Sequence, residues 1–386
     1  MPDIIHYEEL TWPEIAALPR DLPLILPLGL GYDPALLQRA VGDEPVCLLP
    51  PLPYGFPGSE VEVAAELLNR VISALFDGPK EEGFSRFYLA HDGAFTGAVP
   101  GVQPLVVPRD RTAEPPPLHA TPERVILIPC GHTEQHGYHL PVNTDTVIID
   151  AIASRVCRVI PAEAEMLPAL PYGVSMYRSA FAGTFNMTGR VFEDFLLDVL
   201  DALIERGADR FYLMSGHGGN CSFLTNVVKY IGDRHWHVFA ATTWLHTSGH
   251  LGAPALERYR RSQRGGMGHA GELETSYMLY LRPDLCRMER VVDETDFIST
   301  PNFYMDWIEG GALVLSCPWE DDTLTGSYGA GSLATAENGA RWLEVAVQEK
   351  IEHVREIHEQ ARRRLARRAE RNQTAHNMEQ RYTHGN

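Results

Sequence analysis

Apolar positions along the chain follow two periods. Residues 124–129 (RVILIP) form a short unbroken apolar run rich in β-branched side chains, the pattern of a strand buried in a parallel sheet. Residues 211–214 and 238–243 repeat that pattern. Before the second run, Val191, Phe195, Leu196, Val199, Leu200 and Ile204 recur at helical spacing, and Gly207 stands where a helix C-cap belongs, which predicts a helix over 191–206. Alternation of strand and helix predicts an α/β fold with a mainly parallel central sheet. A second amphipathic helix is predicted from about 333 to 357, running into a basic, polar tail over 359–386 that is expected to be a frayed, solvated end. Residues 109–122 (RDRTAEPPPLHATP) read as an exposed linker because a triple proline sits among charged and small polar residues.

The two sides of that linker resemble each other. LLPPLPYG (48–55) has a counterpart in MLPALPYG (166–173), and each follows a strand-like segment ending in Pro-x-Gly, ILPLG at Gly29 and LIPCG at Gly131. Downstream, ELLNRVISALFDGPKEEGFSRFYL parallels DFLLDVLDALIERGADRFYL, so that Phe87, Tyr88 and Leu89 align with Phe211, Tyr212 and Leu213. We read this as a degenerate internal duplication: residues 1–108 form a first copy, 109–122 a linker, 123–358 the second and catalytic copy, and 359–386 the tail. In an ungapped match from Gly29, Tyr32 takes the place of Glu134 and Pro34 that of His136, while Gly93 takes that of His217. The first copy has therefore lost the polar groups that the second carries.

Composition narrows the function classes. The 386 residues carry a formal charge of −18 with 44% apolar positions, which fits a globular protein and disfavours nucleic acid or an anionic membrane surface as partner. Apolar stretches such as 22–30 are far short of the ~20 residues that span a bilayer, and the acidic N-terminus lacks a signal-peptide pattern, so a cytoplasmic location is expected. The six cysteines stand singly without a CxxC pair, which favours buried free thiols over a disulfide frame or zinc knuckles.

Chemistry concentrates in three clusters. GHTEQHGYHLPVNTDT (131–146) follows a predicted strand, where an open α/β sheet presents its ligands. Glu134 and His136 are two apart and so share one side of an extended segment, and Asp145 follows a proline-containing turn that can bring it back over them. Carboxylates and imidazole in this mixture suit Zn²⁺, Mn²⁺ or Fe²⁺. SGHGGN (215–220) places His217 between glycines at a strand-to-helix turn, and GHAGELETS (268–276) crowds His269, Glu272 and Glu274 at the opening of a helix. Glu272 and Glu274 cannot share one face of a regular helix and are expected to divide roles. Together the clusters hold the inventory of a two-metal hydrolytic centre, and no GxSxG elbow competes.

These motifs, with LPYGVSMYRSAFAGT and the late GSYGAGSLATAENG, resemble the creatininase family of metal-dependent amidohydrolases over about 124–357. The resemblance implies a three-layer α/β fold, two divalent ions per chain with zinc foremost and manganese or iron as alternatives, and hydrolysis of a non-peptide or cyclic C–N amide bond of a small molecule. It also implies homo-oligomers, commonly hexameric rings. Carried over residue by residue, Glu134 and His217 hold one metal, His136 the other, Asp145 bridges them, and His269 is the proton-transfer group. Creatininase has a glutamate at the place of Gly219, so Glu272 is the expected replacement ligand and Glu274 the next candidate, with a catalytic role otherwise. Relatives usually have histidine in place of Arg178 and proline in place of Ala182; an arginine facing the site favours a carboxylate or phosphate on the substrate. Tyr177, Arg178 and Trp307 are expected substrate contacts and Gly218 and Gly219 backbone donors to an oxyanion, while for Trp307, Trp319 and Tyr304 core packing is favoured over a role as aromatic pocket walls. Competing expectations are a peptidase- or deformylase-like member of the same family and a non-catalytic metal-binding relic.

Overall fold

The computed structural model describes residues 3–175, 180–308, 310–315 and 317–383. Two separate sheets lie on either side of the linker. The first contains β1 (Ile4–His6), β2 (Leu24–Pro27), β3 (Val46–Leu48), β4 (Phe87–His91) and β5 (Val102–Val106), in the order β1-β3-β2-β4-β5. The second contains β6 (Val125–Cys130), β7 (Ala164–Met166), β8 (Arg210–Ser215) and β9 (Phe239–Thr242), in the order β7-β6-β8-β9. Every pairing among these strands is parallel. The helices are α1 (Trp12–Ala16), α2 (Pro34–Val41), α3 (Ala65–Glu81), α4 (Thr144–Val159), α5 (Gly189–Glu205), α6 (Cys221–Arg234), α7 (Gly252–Tyr259), α8 (Glu272–Leu281) and α9 (Ala336–Thr383).

Strand alternation shows how the layers stack. Leu24 and Leu26 of β2, with Phe87 and Leu89 of β4, face the same core as Ile126 and Ile128 of β6 and Phe211 and Leu213 of β8. Helices α3 and α5 lie in that core, contributing Leu68, Val71, Ile72 and Phe192, Phe195, Leu196. The opposite face of the second sheet, with Val125, Leu127, Tyr212 and Met214, packs on α4, α8 and α9, while Ile25, Val46 and Tyr88 of the first sheet pack with Leu37 of α2. A shared helical layer thus sits between two sheets, and one continuous apolar core crosses the linker. Leu118 and Ala120 of the linker belong to that core, so this stretch is only partly exposed.

The two sheets agree in detail. Strands β3, β2, β4, β5 and strands β7, β6, β8, β9 have the same spatial order, and the pairing Pro27 with Ala90 has its counterpart in Pro129 with Met214. Gly29 donates its N–H to the Leu52 carbonyl at 2.9 Å, as Gly131 does to Leu170 at 2.9 Å. Helices α3 and α5 each have 17 residues, and at an offset of 124 positions their buried residues coincide: Leu67 with Val191, Leu68 with Phe192, Val71 with Phe195, Ile72 with Leu196. These two helices meet where Arg70 pairs with Asp194 at 3.0 Å, and Tyr54, ahead of α3, stacks on Phe195 of α5 with ring centroids 5.9 Å apart.

The C-terminal segment differs from the frayed end expected of it: α9 continues without a break to Thr383. Past its buried Ala361 it has no glycine or proline to stop it, and Glu359 pairs one turn on with Arg362 and Arg363. Arg364 and Arg368 lie over the rings of Phe239 and Trp236. None of the six cysteines is in a disulfide, and Cys47, Cys130 and Cys221 are buried. Among the described residues no helix is long and apolar enough to cross a membrane.

Candidate metal centre

The polar clusters converge at the carboxyl ends of β6 and β8. His132, Glu134 and His136 alternate along the loop after β6 and are fully buried. Asp145 lies in the first turn of α4, and Glu272 and Glu274 in the first turn of α8, where a helix N-terminus favours a carboxylate. His217 follows β8 directly. Gly216 before it has no substitute, because a Cβ there would stand 2.3 Å from the Asp145 carbonyl oxygen.

Asp145 divides its two oxygens between two imidazoles. Oδ1 is 3.1 Å from His136 Nε2, and Oδ2 is 3.2 Å from His217 Nδ1. Glu134 Oε1 is 3.0 Å from the same His217 nitrogen, and Glu274 Oε2 is 3.7 Å from His136 Nε2. His269 Nδ1 faces Glu134 Oε1 at 3.5 Å. Burial alone would raise the Asp145 carboxyl, but His136 and His217 on either side hold it well below the ordinary carboxylate range. Burial likewise opposes the charged form of His136, and the Asp145 and Glu274 carboxylates outweigh it, so this imidazole is shifted upward.

Proton accounting tests whether cations fit here. His217 Nε2 is 3.0 Å from the Val174 carbonyl oxygen, which can only accept, so that nitrogen carries the ring proton. His136 Nδ1 is likewise 3.0 Å from the Glu134 carbonyl oxygen. In the neutral rings the remaining nitrogens, His217 Nδ1 and His136 Nε2, then turn lone pairs toward carboxylate oxygens. Lone pair against anion is repulsive, and a cation between them removes the conflict. The mixed nitrogen and oxygen donor set suits zinc or manganese.

Glu272, the first expectation for the fifth ligand, is directed elsewhere. Its Oε1 and Oε2 accept the Arg261 N–H at 2.8 and 2.9 Å, and Oε2 accepts the Ser262 N–H at 2.6 Å. Glu274, two residues on, turns into the centre, and its Oε2 accepts the Ala270 N–H at 2.6 Å. Gly219 explains why no carboxylate comes from the β8 loop. A Cβ there would lie 2.4 Å from His217 Nε2 and 2.4 Å from the Val174 oxygen, so any side chain would displace the imidazole.

Two residues beside the metal-ligand candidates escaped the sequence reading. His132 continues the alternation of Glu134 and His136, and its ring lies 4.5 Å from that of His217. The Gly173 N–H donates to His132 Nδ1 at 2.9 Å, which leaves the proton of the neutral ring on Nε2 and makes that nitrogen a donor. The period-two signal that picked out Glu134 and His136 contained His132 as well. Gln135 holds His269: its carbonyl oxygen is 2.7 Å from His269 Nε2, and its side-chain Nε2 donates to the Gly326 carbonyl at 2.9 Å.

A cavity of about 790 Å³ reaches this centre at His217, which lines it together with Gly218 and Gly219. Trp307, Trp319 and Tyr304 line it, joined by Trp244, which the sequence did not single out. Tyr177 and Arg178 lie outside the described residues.

Comparison with known proteins places these observations. A sequence profile described as "Creatininase: Creatinine amidohydrolase" matches residues 116–354. The chain belongs to the creatininase family. It is similar to the creatinine amidohydrolase of Pseudomonas putida, with 29% identity over 247 residues that span 60% of this chain and 89% of that protein. It is 32% identical to the mycofactocin precursor peptide peptidase of Mycobacterium tuberculosis over 247 residues, 59% of this chain and 84% of that one. Its fold matches the solved structure "Creatininase Mn" at a TM-score of 0.51 and 27% identity, covering 61% of this chain and 91% of that one. The profile match begins within the linker, so the first sheet lies wholly outside it.

Proposed function

We propose that the second copy is a metal-dependent amidohydrolase centre that holds two divalent ions, zinc foremost, and cleaves a C–N amide bond. The observation that carries this reading is Asp145, one oxygen 3.1 Å from His136 and the other 3.2 Å from His217, with Glu134 and Glu274 completing the two sides. Glu134, His217 and Asp145 would hold one ion, and His136, Asp145 and Glu274 the other. Ions so bound would acidify a water and polarise the amide carbonyl.

The protein's own groups supply the remaining chemistry. His269 is fixed through Nε2 on the Gln135 carbonyl and turns Nδ1 to the Glu134 side, where it takes a proton from the attacking water and delivers it to the departing nitrogen. The water oxygen ends on the carbonyl carbon, the C–N bond breaks, and the products are a carboxylate and an amine. The backbone N–H groups of Gly218 and Gly219, which line the cavity, are the donors for the oxyanion. Glu272 serves as a brace for the loop at 261–262 that packs before α8. The relatives named above are a creatinine amidohydrolase and a precursor peptide peptidase, so a peptidase-like activity would use the same centre without change of mechanism.

The test is hydrolysis of a panel of peptide and non-peptide amides by protein loaded with Zn²⁺ or Mn²⁺, read as amine released. Turnover that is abolished by a chelator and restored by metal supports the reading. Stoichiometric metal with no turnover across the panel would favour the metal-binding relic instead.

A further inference from the structure

We infer that the amide cleaved here carries a bulky apolar or aromatic group beside the scissile bond, seated against the contiguous face of Trp244 and Trp307. This deepens the hydrolase reading above and rests on it.

The first support is size. The cavity of about 790 Å³ lies in the upper part of the ~300–1,000 Å³ range of pockets that enclose most of a drug-sized ligand. A small polar ring such as creatinine would leave most of it filled with water held against indole faces. The second is position. A Cβ on Gly218 would stand 3.3 Å from the Trp307 ring and 3.8 Å from the Trp244 ring, so both indoles lie close beside the backbone next to His217. Their centroids are 6.2 Å apart at 60°, an edge-to-face contact that makes the two indoles one continuous aromatic wall beside His217.

The third support is charge. Among the described lining residues the carboxylates are Asp306 and Asp322, and both are engaged. Asp306 accepts the N–H groups of Gly265 at 2.8 Å and Ile308 at 2.9 Å, and Asp322 accepts the Ile298 N–H at 2.7 Å and the Tyr328 hydroxyl at 2.9 Å. Neither is presented to a substrate cation. The Trp307 indole N–H is buried with no acceptor among the described residues, a donor suited to a carbonyl on an otherwise apolar group. At the mouth, Leu313, Val314 and Leu315 are 52%, 93% and 45% exposed, so the apolar surface continues outward in a patch that water alone does not explain.

Calorimetry on zinc-loaded protein tests this with two hydroxamates that share a metal-seeking head, acetohydroxamate and 3-(2-naphthyl)propanohydroxamate. The expected result is binding at least about tenfold tighter for the naphthyl compound, with the preference falling to within about threefold in Trp307→Ala. Val314→Asp, at an exposed position where folding is not at stake, should cut the same preference. Equal affinities for the two would overturn the inference while leaving the metal centre standing. Failure of both to bind would count against the metal centre instead. In that case, titration with 3-(2-naphthyl)propanamide, read by tryptophan fluorescence, decides the apolar site: quenching supports it and no response overturns it.

Discussion

The first and second sheets share strand order, register and the burial pattern of their central helices, yet their carboxyl ends do opposite things. At the end of β6 and β8 the second sheet presents buried imidazoles and carboxylates that face one another across gaps of 3.0 to 3.7 Å. At the end of β2 and β4 the first sheet is plugged. Arg109, with a side chain 1% exposed, pairs with Asp92 at 3.1 Å and with Glu114, and lies over the Phe56 ring. Its guanidinium and Phe56 pack so closely on Gly29, the counterpart of Gly131, that a Cβ there would meet them at 2.9 and 2.8 Å. Tyr32, in the place of Glu134, donates its hydroxyl to the Leu28 carbonyl. Two like-built sheets thus end once in a buried arginine paired with two carboxylates and once in facing imidazoles and carboxylates that a cation would complete.

The comparison breaks most sharply at Asp145 and Asp92. Asp145→Ala should abolish hydrolysis and remove bound metal, since both sides of the centre share its carboxylate, whereas Asp92→Ala should leave metal content and turnover as in the wild type. Loss of metal in the Asp92 variant would contradict the account. Next in size is His269→Ala, with an expected fall of ~10²–10⁴-fold in kcat while metal content holds, as for a general acid–base group. Metal loss in that variant would make His269 a ligand.

A finer contrast lies within α8. Glu274→Ala should lower metal content and activity. Glu272→Ala should keep the metal but destabilise the fold by about 2–4 kcal/mol in urea unfolding, because two backbone N–H groups lose a charged acceptor. Reversed outcomes would return the ligand role to Glu272. Smaller still is Arg109→Met, expected to cost about 1–3 kcal/mol of stability with turnover unaffected, since Asp92 retains Arg111 at 2.6 Å.

The smallest effect is one of pH. Burial alone would raise the Asp92 carboxyl, but Arg111 and Arg109 more than offset it and hold it below its usual value. Its contribution to stability is therefore fully present above the unfolded value of ~3.9 and is lost as pH falls through the lower folded value. Acid unfolding of Asp92→Asn below about pH 4 should accordingly be shallower than that of the wild type.

Much of this was legible in the sequence because the signals are local. The apolar runs at 124–129 and 211–214 became β6 and β8, and the helical spacing over 191–206 became α5, each within one or two residues at its ends. The motifs that hold Glu134, His136, Asp145, His217 and His269 were equally visible, and all five side chains meet. The choice between Glu272 and Glu274 was not legible, because it depends on where the 261–262 loop brings its N–H groups. The plug at Arg109 was hidden for a similar reason. Within a proline-rich, charged stretch an arginine reads as solvated, and only the packing of Phe56 and Gly29 buries it. The length of α9 was missed because the helical pattern loses its apolar face near residue 361, where i to i+4 pairing takes over.

If the centre at the second sheet binds two cations through a shared Asp145 and the first sheet binds none, metal content must follow Asp145. Elemental analysis of protein purified without chelators tests it directly, on the wild type and on Asp145→Ala. The account predicts about two divalent ions per wild-type chain and close to none in the variant. A wild type that stays empty when offered Zn²⁺ or Mn²⁺, or a variant that keeps both ions, would contradict it.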